Sequence, residues 1–123
     1  MKRVLIVDDE INITMIIREG LRVLEDCEVL VATDEQMALA EIEAGCIDVL
    51  VTDYRMPGQN GLKLIAQAKE RYPNLQAMIV TAYSDGTLHE EAKALGVAHV
   101  LTKPMRLDRF RQLVQELLTI TTV

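Results

Sequence analysis

Cysteine is scarce in this chain, and the two present, Cys27 and Cys46, stand in no C-x-x-C or Cys/His pattern. Zinc binding and dithiol redox chemistry therefore lack their ligands, and two reduced thiols in a cytoplasmic protein is the expected state. Basic residues are outnumbered: thirteen Lys and Arg face nineteen Asp and Glu, for a formal charge of -6 with no gathering of cations along the sequence. Such a surface repels nucleic acid phosphates. Long apolar runs are missing too. The opening run, Met1–Val7, is cut off by Asp8-Asp9-Glu10, too early for a signal peptide, and no segment approaches membrane-spanning length. There is no linker, low-complexity tract or internal repeat. A glycine-rich or hydroxyl-rich loop after the first apolar run, which a flavin or nucleotide site would need, is replaced by acids that repel phosphate.

What is present is an ordinary globular composition, 50% hydrophobic and 26% charged over 123 residues. One domain over residues 1–123 with a single core is expected. Short β-branched runs recur at Arg3–Asp8, Glu28–Ala32, Ile47–Asp53, Gln76–Thr81 and Ala98–Thr102, each reading as a strand buried on both faces. Helical spacing fills the gaps, as in Leu107, Phe110, Val114, Leu117 and Leu118, or Leu39 and Ile42 ahead of the stop signal Gly45. Asp85–Leu95 is the thinnest helix, with only Leu88, Ala92 and Leu95 on its apolar stripe. Strict alternation of strand and helix predicts an α/β fold: five parallel strands with helices on both faces.

In such sheets the functional crevice lies beyond the carboxyl ends of the strands. Those ends carry Asp8 and Asp9, then Asp53, Thr81 and Lys103, while Thr33 or Asp34 after the second run reads as a helix cap. Taken singly, each has an ordinary explanation. Acids cap helices, Asp53 precedes a Pro57-Gly58 turn, Thr81 is a β-former and Lys103 is a solvated charge before a proline. Together they place three carboxylates, a hydroxyl and an amine on one rim. Clustered carboxylates repel, and a hard divalent cation with oxygen ligands relieves them. Mg2+ suits a site that also handles phosphate, because it uses few carboxylates and keeps waters. Asp53, at the end of the central-looking strand, is the candidate nucleophile for an aspartyl phosphate, with Lys103 and Thr81 stabilising the transferring group.

Val7–Glu10 (VDDE), Asp53–Gly61 (DYRMPGQNG), Thr81-Ala82 and Lys103-Pro104 occur in order at these strand ends. Over essentially its whole length the chain resembles the receiver domain of two-component response regulators, the CheY-like family. The resemblance implies a flavodoxin-like, doubly wound five-stranded parallel sheet with five helices. It implies that Asp53 is the phosphoacceptor and that Asp8, Asp9, Asp53 and the backbone carbonyl of Arg55 surround Mg2+, Asp9 as the direct ligand. Thr81 would be the switch hydroxyl and Lys103 the phosphate-contacting cation, aimed inward by a cis Lys103-Pro104 bond. The domain would be a phosphoacceptor switch that assists its own phosphorylation and dephosphorylation rather than an enzyme. A histidine kinase, a phosphotransfer protein or acetyl phosphate would supply the phosphoryl group. A downstream protein or a covalently linked effector domain would read it, with no nucleic acid or membrane bound by this domain.

One departure from the family pattern is Val100, where an aromatic switch residue is usual three positions before the lysine. A valine has no ring to swing, so output is expected to run through the loop and helix after Thr81, including Tyr83, unless Val100 is simply core. Arg55 and Tyr83 are candidates for shielding the phosphate from water. Arg106, Arg109 and Arg111 against Glu90, Glu91 and Lys93 offer pairing in a phosphorylation-dependent homodimer, with solvated charges as the plainer reading. The alternative of another class is a magnesium-dependent phosphohydrolase of the haloacid-dehalogenase type. It needs a second acid two residues after the nucleophile, where this chain has Arg55.

Overall fold

The computed structural model describes residues 1–25, 27–56, 59–82 and 85–120. Five strands form one parallel sheet: β1 (Lys2–Val7), β2 (Cys27–Ala32), β3 (Val49–Thr52), β4 (Gln76–Thr81) and β5 (His99–Thr102), in spatial order β2-β1-β3-β4-β5. Helices α1 (Ile11–Leu21), α2 (Glu35–Ala44), α3 (Gly61–Arg71), α4 (Gly86–Leu95) and α5 (Leu107–Ile120) make the crossovers. This is the doubly wound architecture expected from the alternation.

Period-two alternation along the strands divides the core into two layers. Val4, Ile6, Val49, Val51, Met78 and Val80 meet Ile17 and Leu21 of α1 and Phe110, Leu113, Val114 and Leu117 of α5. The intervening residues Leu5, Val7, Leu50, Ala77 and Ile79 face α2, α3 and α4. Phe110 has no exposed surface, and full burial of a side chain that size contributes about 3 kcal/mol. The expectation that every strand is buried on both faces holds for β3 but not for β2 and β5, which are the edges of the sheet and keep partly exposed residues. Their apolar letters look like those of the centre, because edge position is a property of topology rather than of local sequence.

Helix ends follow side-chain chemistry. Of the two expected caps before α2, Asp34 takes the position, its carboxylate accepting from Met37 N at 2.8 Å. Asn60 accepts from Leu62 N at 2.7 Å before α3, and Asp85 from Leu88 N at 2.8 Å before α4. Each satisfies an amide that the helix itself leaves without a partner. Gly96 ends α4 in the left-handed region, φ 81°, where a side chain would be strained. Gly45 ends α2 in extended backbone, and the Tyr72 hydroxyl lies 2.7 and 2.8 Å from the carbonyls of Ile42 and Gly45.

Both cysteines are free thiols in different settings. Burial, and then the charge of Asp48, push the Cys27 thiol up, whereas Cys46 is exposed. Because the thiolate is the reactive form, iodoacetamide at neutral pH is expected to label Cys46 well before Cys27 in the folded protein. Peptide mapping of a time course checks this, and equal labelling rates would contradict the burial of Cys27.

Candidate functional site

Asp8, Asp53 and Lys103 are each the first residue past a strand, and each remains tied to the neighbouring strand by one more backbone hydrogen bond. Asp8 N donates to Ala32 O at 3.1 Å, Asp53 N to Val7 O at 3.0 Å and Lys103 N to Thr81 O at 2.8 Å. The expected strands ran through Asp8 and Asp53. The regular sheet stops one residue earlier, at Val7 and Thr52, which frees both side chains to turn over the rim. Parallel register does the rest: Val7 pairs with Thr52 and Thr81 with Thr102, so the candidate residues come level at the carboxyl end of the sheet.

There the carboxylates of Asp8, Asp9 and Asp53 each place an oxygen within 4.8 Å of the others. Lys103 enters the same space. Its Nζ lies 2.7 Å from Asp8 Oδ2 and 3.1 Å from Asp53 Oδ2. Asp8 and Asp53 are buried and Asp9 is exposed. Burial pulls the Lys103 ammonium down, but hydrogen bonds to Asp8 and Asp53 and the two carboxylate charges outweigh it, leaving the group above its ordinary value. Lys103 is thus charged at neutral pH. One ammonium against three carboxylates leaves the cluster anionic, and its donors are all hard oxygens, a set suited to a divalent cation such as Mg2+. The second oxygen of Asp8 is occupied, since Oδ1 accepts from Glu10 N at 2.9 Å. Glu10 is the cap position of α1 and makes no side-chain capping bond, so the acidic trio is not explained as a helix cap.

Thr81 is buried at the end of β4, on the same rim. Arg55 lies in a two-residue antiparallel ribbon, Arg55–Met56 with Gln59–Asn60, that sequence periodicity did not reveal. Its guanidinium stands 5.8 Å from the Tyr54 ring centroid. The Lys103-Pro104 bond is cis, as the resemblance implied. Val100 is half-buried against the core layer that contains Leu88 and Ala92 of α4, in keeping with its reading as a core residue. Tyr83 and Pro57-Gly58 lie outside the described residues, so the expected roles of Tyr83 find no geometry here. Arg106 pairs with Asp108 of its own chain at 2.9 Å, both exposed.

Two residues with contacts at the site were not singled out by sequence reasoning. Thr52, with no exposed surface, donates from Oγ1 to the carbonyl oxygen of Asp53 at 3.0 Å. Gly61 packs its α-carbon against that same carbonyl, so that an added Cβ would overlap the oxygen.

A family model described as the response regulator receiver domain matches residues 4–115. The transcriptional regulatory protein CitT of Bacillus subtilis is 30% identical over 113 residues, 91% of this chain and 50% of that protein. This chain therefore spans about half the length of CitT. The chemotaxis protein CheY of Pseudomonas aeruginosa is 32% identical over 117 residues, 94% of each chain. Among solved structures, the response regulator TrrA of Thermotoga maritima in complex with Mg2+ and BeF superposes with a TM-score of 0.81 at 29% identity, covering 95% of this chain and 99% of that one. With 112 of its positions inside the family model and the fold shared throughout, the chain belongs to the response regulator receiver domain family.

Proposed function

We propose that residues 1–123 act as a phosphorylation-controlled switch that accepts a phosphoryl group on Asp53. The observation that carries this reading is the convergence of Asp8, Asp9, Asp53 and Lys103 at one end of the sheet, with the Lys103 ammonium on the Asp53 carboxylate. Asp53 supplies the nucleophilic oxygen. It attacks the phosphorus of a phosphohistidine or of acetyl phosphate, the bond from phosphorus to the donor nitrogen or oxygen breaks, and the donor leaves with the electron pair.

Asp8, Asp9, Asp53 and the main-chain carbonyl of Arg55 would hold Mg2+, which supplies positive charge for the phosphoryl oxygens. Asp9 is favoured as a direct ligand because both oxygens of Asp8 already have partners, Glu10 N and Lys103 Nζ. Lys103 holds a second positive charge beside the accepting carboxylate throughout, and Thr81 offers a hydroxyl donor from the end of β4. Water later attacks the phosphorus of the acyl phosphate, the bond from phosphorus to the Asp53 oxygen breaks, and inorganic phosphate leaves, which returns Asp53 to its carboxylate. The chain assists both steps on itself and is not a turnover enzyme.

A histidine kinase or phosphotransfer protein is the proposed donor in the cell. The reader is a downstream protein or a linked effector domain, and the chain's span of about half of CitT accommodates the second arrangement. Among the described residues no helix is long and apolar enough to cross a membrane, and the proposed site of action is the cytoplasm.

Incubation with acetyl phosphate and MgCl2, followed by intact mass measurement, is expected to add one phosphoryl group to the natural protein. Asp53→Asn and a chelator control are expected to add none. Equal gain in Asp53→Asn would mean that another residue is the acceptor.

A further inference from the structure

The side chain of Asp53 is held by Lys103 and its amide by Val7, yet its carbonyl lies beyond the last pairing of β3 and is left out of the ladder. Asp53 is buried, and an unpaired carbonyl in a buried residue is costly. The run Val49-Leu50-Val51 then ends in Thr52, a residue with no exposed surface among apolar neighbours. Valine has the same shape and would bury at that point without a hydroxyl to satisfy. The threonine spends its hydroxyl on the Asp53 carbonyl, 3.0 Å away. Its methyl points to the other member of the contact: a Cβ placed on Gly61 would stand 3.2 Å from Thr52 Cγ2 while overlapping the Asp53 oxygen. Gly61 N in turn donates to Tyr54 O at 2.8 Å, so two successive carbonyls after β3 are both fastened.

We infer that Thr52 is a positioning residue for the phosphoacceptor, its hydroxyl and the bare α-carbon of Gly61 forming a clamp on the Asp53 carbonyl. The clamp fixes the peptide plane between Asp53 and Tyr54. That plane sets the direction of the Asp53 carboxylate on one side and the path of the chain to Arg55 on the other. The hydroxyl touches neither phosphate nor metal. It acts through the backbone of Asp53, and the inference rests on the reading of Asp53 as phosphoacceptor.

Thr52→Val and Thr52→Ser test it, with Mg2+ affinity measured by calorimetric titration of MgCl2 alone and phosphorylation rate measured with acetyl phosphate at saturating MgCl2. Loss of one buried hydrogen bond is expected to weaken Mg2+ binding and to slow phosphorylation, each by about ten-fold, in Thr52→Val. Thr52→Ser, which keeps the hydroxyl, is expected to stay within about two-fold of the natural protein in both. A folded Thr52→Val whose melting temperature alone changes would overturn the inference, because a purely structural threonine predicts that outcome. Should Thr52→Val not fold, Thr52→Ser decides: natural values sustain the clamp and a loss as large as ten-fold overturns it. Failure of the underlying reading looks different. A natural protein that binds Mg2+ but takes no phosphate on Asp53 refutes the phosphoacceptor, while the Mg2+ affinities of the variants still report on the clamp.

Discussion

Lys103→Met is expected to slow phosphorylation by acetyl phosphate by about 100-fold at saturating MgCl2, the scale on which removing one preorganised donor acts in a charge-developing transition state. Methionine keeps the length and apolar stem of lysine while deleting the charge that lies 3.1 Å from Asp53 and 2.7 Å from Asp8. The same variant should lose stability. In the natural chain Lys103 is the counter-ion of two buried carboxylates, and breaking a buried pair from one side costs about 3 kcal/mol. Urea unfolding in chelator measures that loss. Added MgCl2 is then expected to stabilise Lys103→Met more than the natural protein, since the cation meets three carboxylates that have lost the Lys103 charge. A variant that is equally unstable with and without MgCl2 would show that the lysine matters through packing alone.

The pH dependence of that difference has a definite sign. Lys103 is raised above the ordinary lysine value, with its burial outweighed by Asp8 and Asp53. A raised cation contributes its full stabilisation below the unfolded value, about 10.4 for lysine, and loses it as pH climbs through the higher folded value. The gap between natural protein and Lys103→Met should therefore stay constant from neutral pH up to the lysine range and close only beyond it. A gap that closed below about pH 9 would contradict the ion pairs.

The reach of the sequence divides along physical lines. The order of elements was legible because five β-branched runs alternate with helical spacing, and strand ends in a parallel sheet share one rim. Asp8, Asp9, Asp53 and Lys103 followed from that rule, although Lys103 is 95 positions from the aspartate it bonds most closely. What stayed hidden were contacts rather than letters. Thr52 reads as one more β-former in VLVT, since nothing local says that its hydroxyl faces a carbonyl outside the ladder. The ribbon Arg55–Met56 with Gln59–Asn60 has two residues a side, too few for any period to register. Edge and centre strands carry the same apolar letters, so the half-exposed faces of β2 and β5 became visible only with the strand order.

Val100 belongs to the same division. Its departure from the family's aromatic is plain in the sequence, whereas its half-buried packing against the core layer that contains Leu88 and Ala92 of α4 became visible only in the fold. A β-branched side chain there is restricted at χ1 and has no ring to swing. Among the described residues, α3 begins on a main-chain segment in direct contact with Asp53, since Gly61 packs against the Asp53 carbonyl.

Gly61→Ala is accordingly expected to damage both stability and chemistry. At most glycines an alanine is a mild change, and in a helix it is usually favourable. At Gly61 the added Cβ would overlap Asp53 O, with Asp53 C only 3.1 Å and Thr52 Cγ2 3.2 Å away. Main-chain atoms of a central strand end cannot rotate aside as the tip of a long side chain can. Either α3 shifts outward, which loosens Leu62, Leu64 and Ile65 from their buried positions, or the Asp53 peptide turns and carries its carboxylate off Lys103. Overpacking of this kind costs about 3 kcal/mol, read as a lower urea midpoint at an unchanged slope. Phosphorylation should fall with it even in buffer where the variant is fully folded, because the carbonyl displaced is the one that Thr52 holds. Gly86 supplies the control. It also sits in the first turn of a helix, but a Cβ there would meet nothing within 4 Å, so Gly86→Ala should be neutral or slightly stabilising. If the two alanine variants behaved alike, the contact between α3 and the Asp53 backbone would not be the tight one described, and the clamp on Asp53 would lose one of its two jaws.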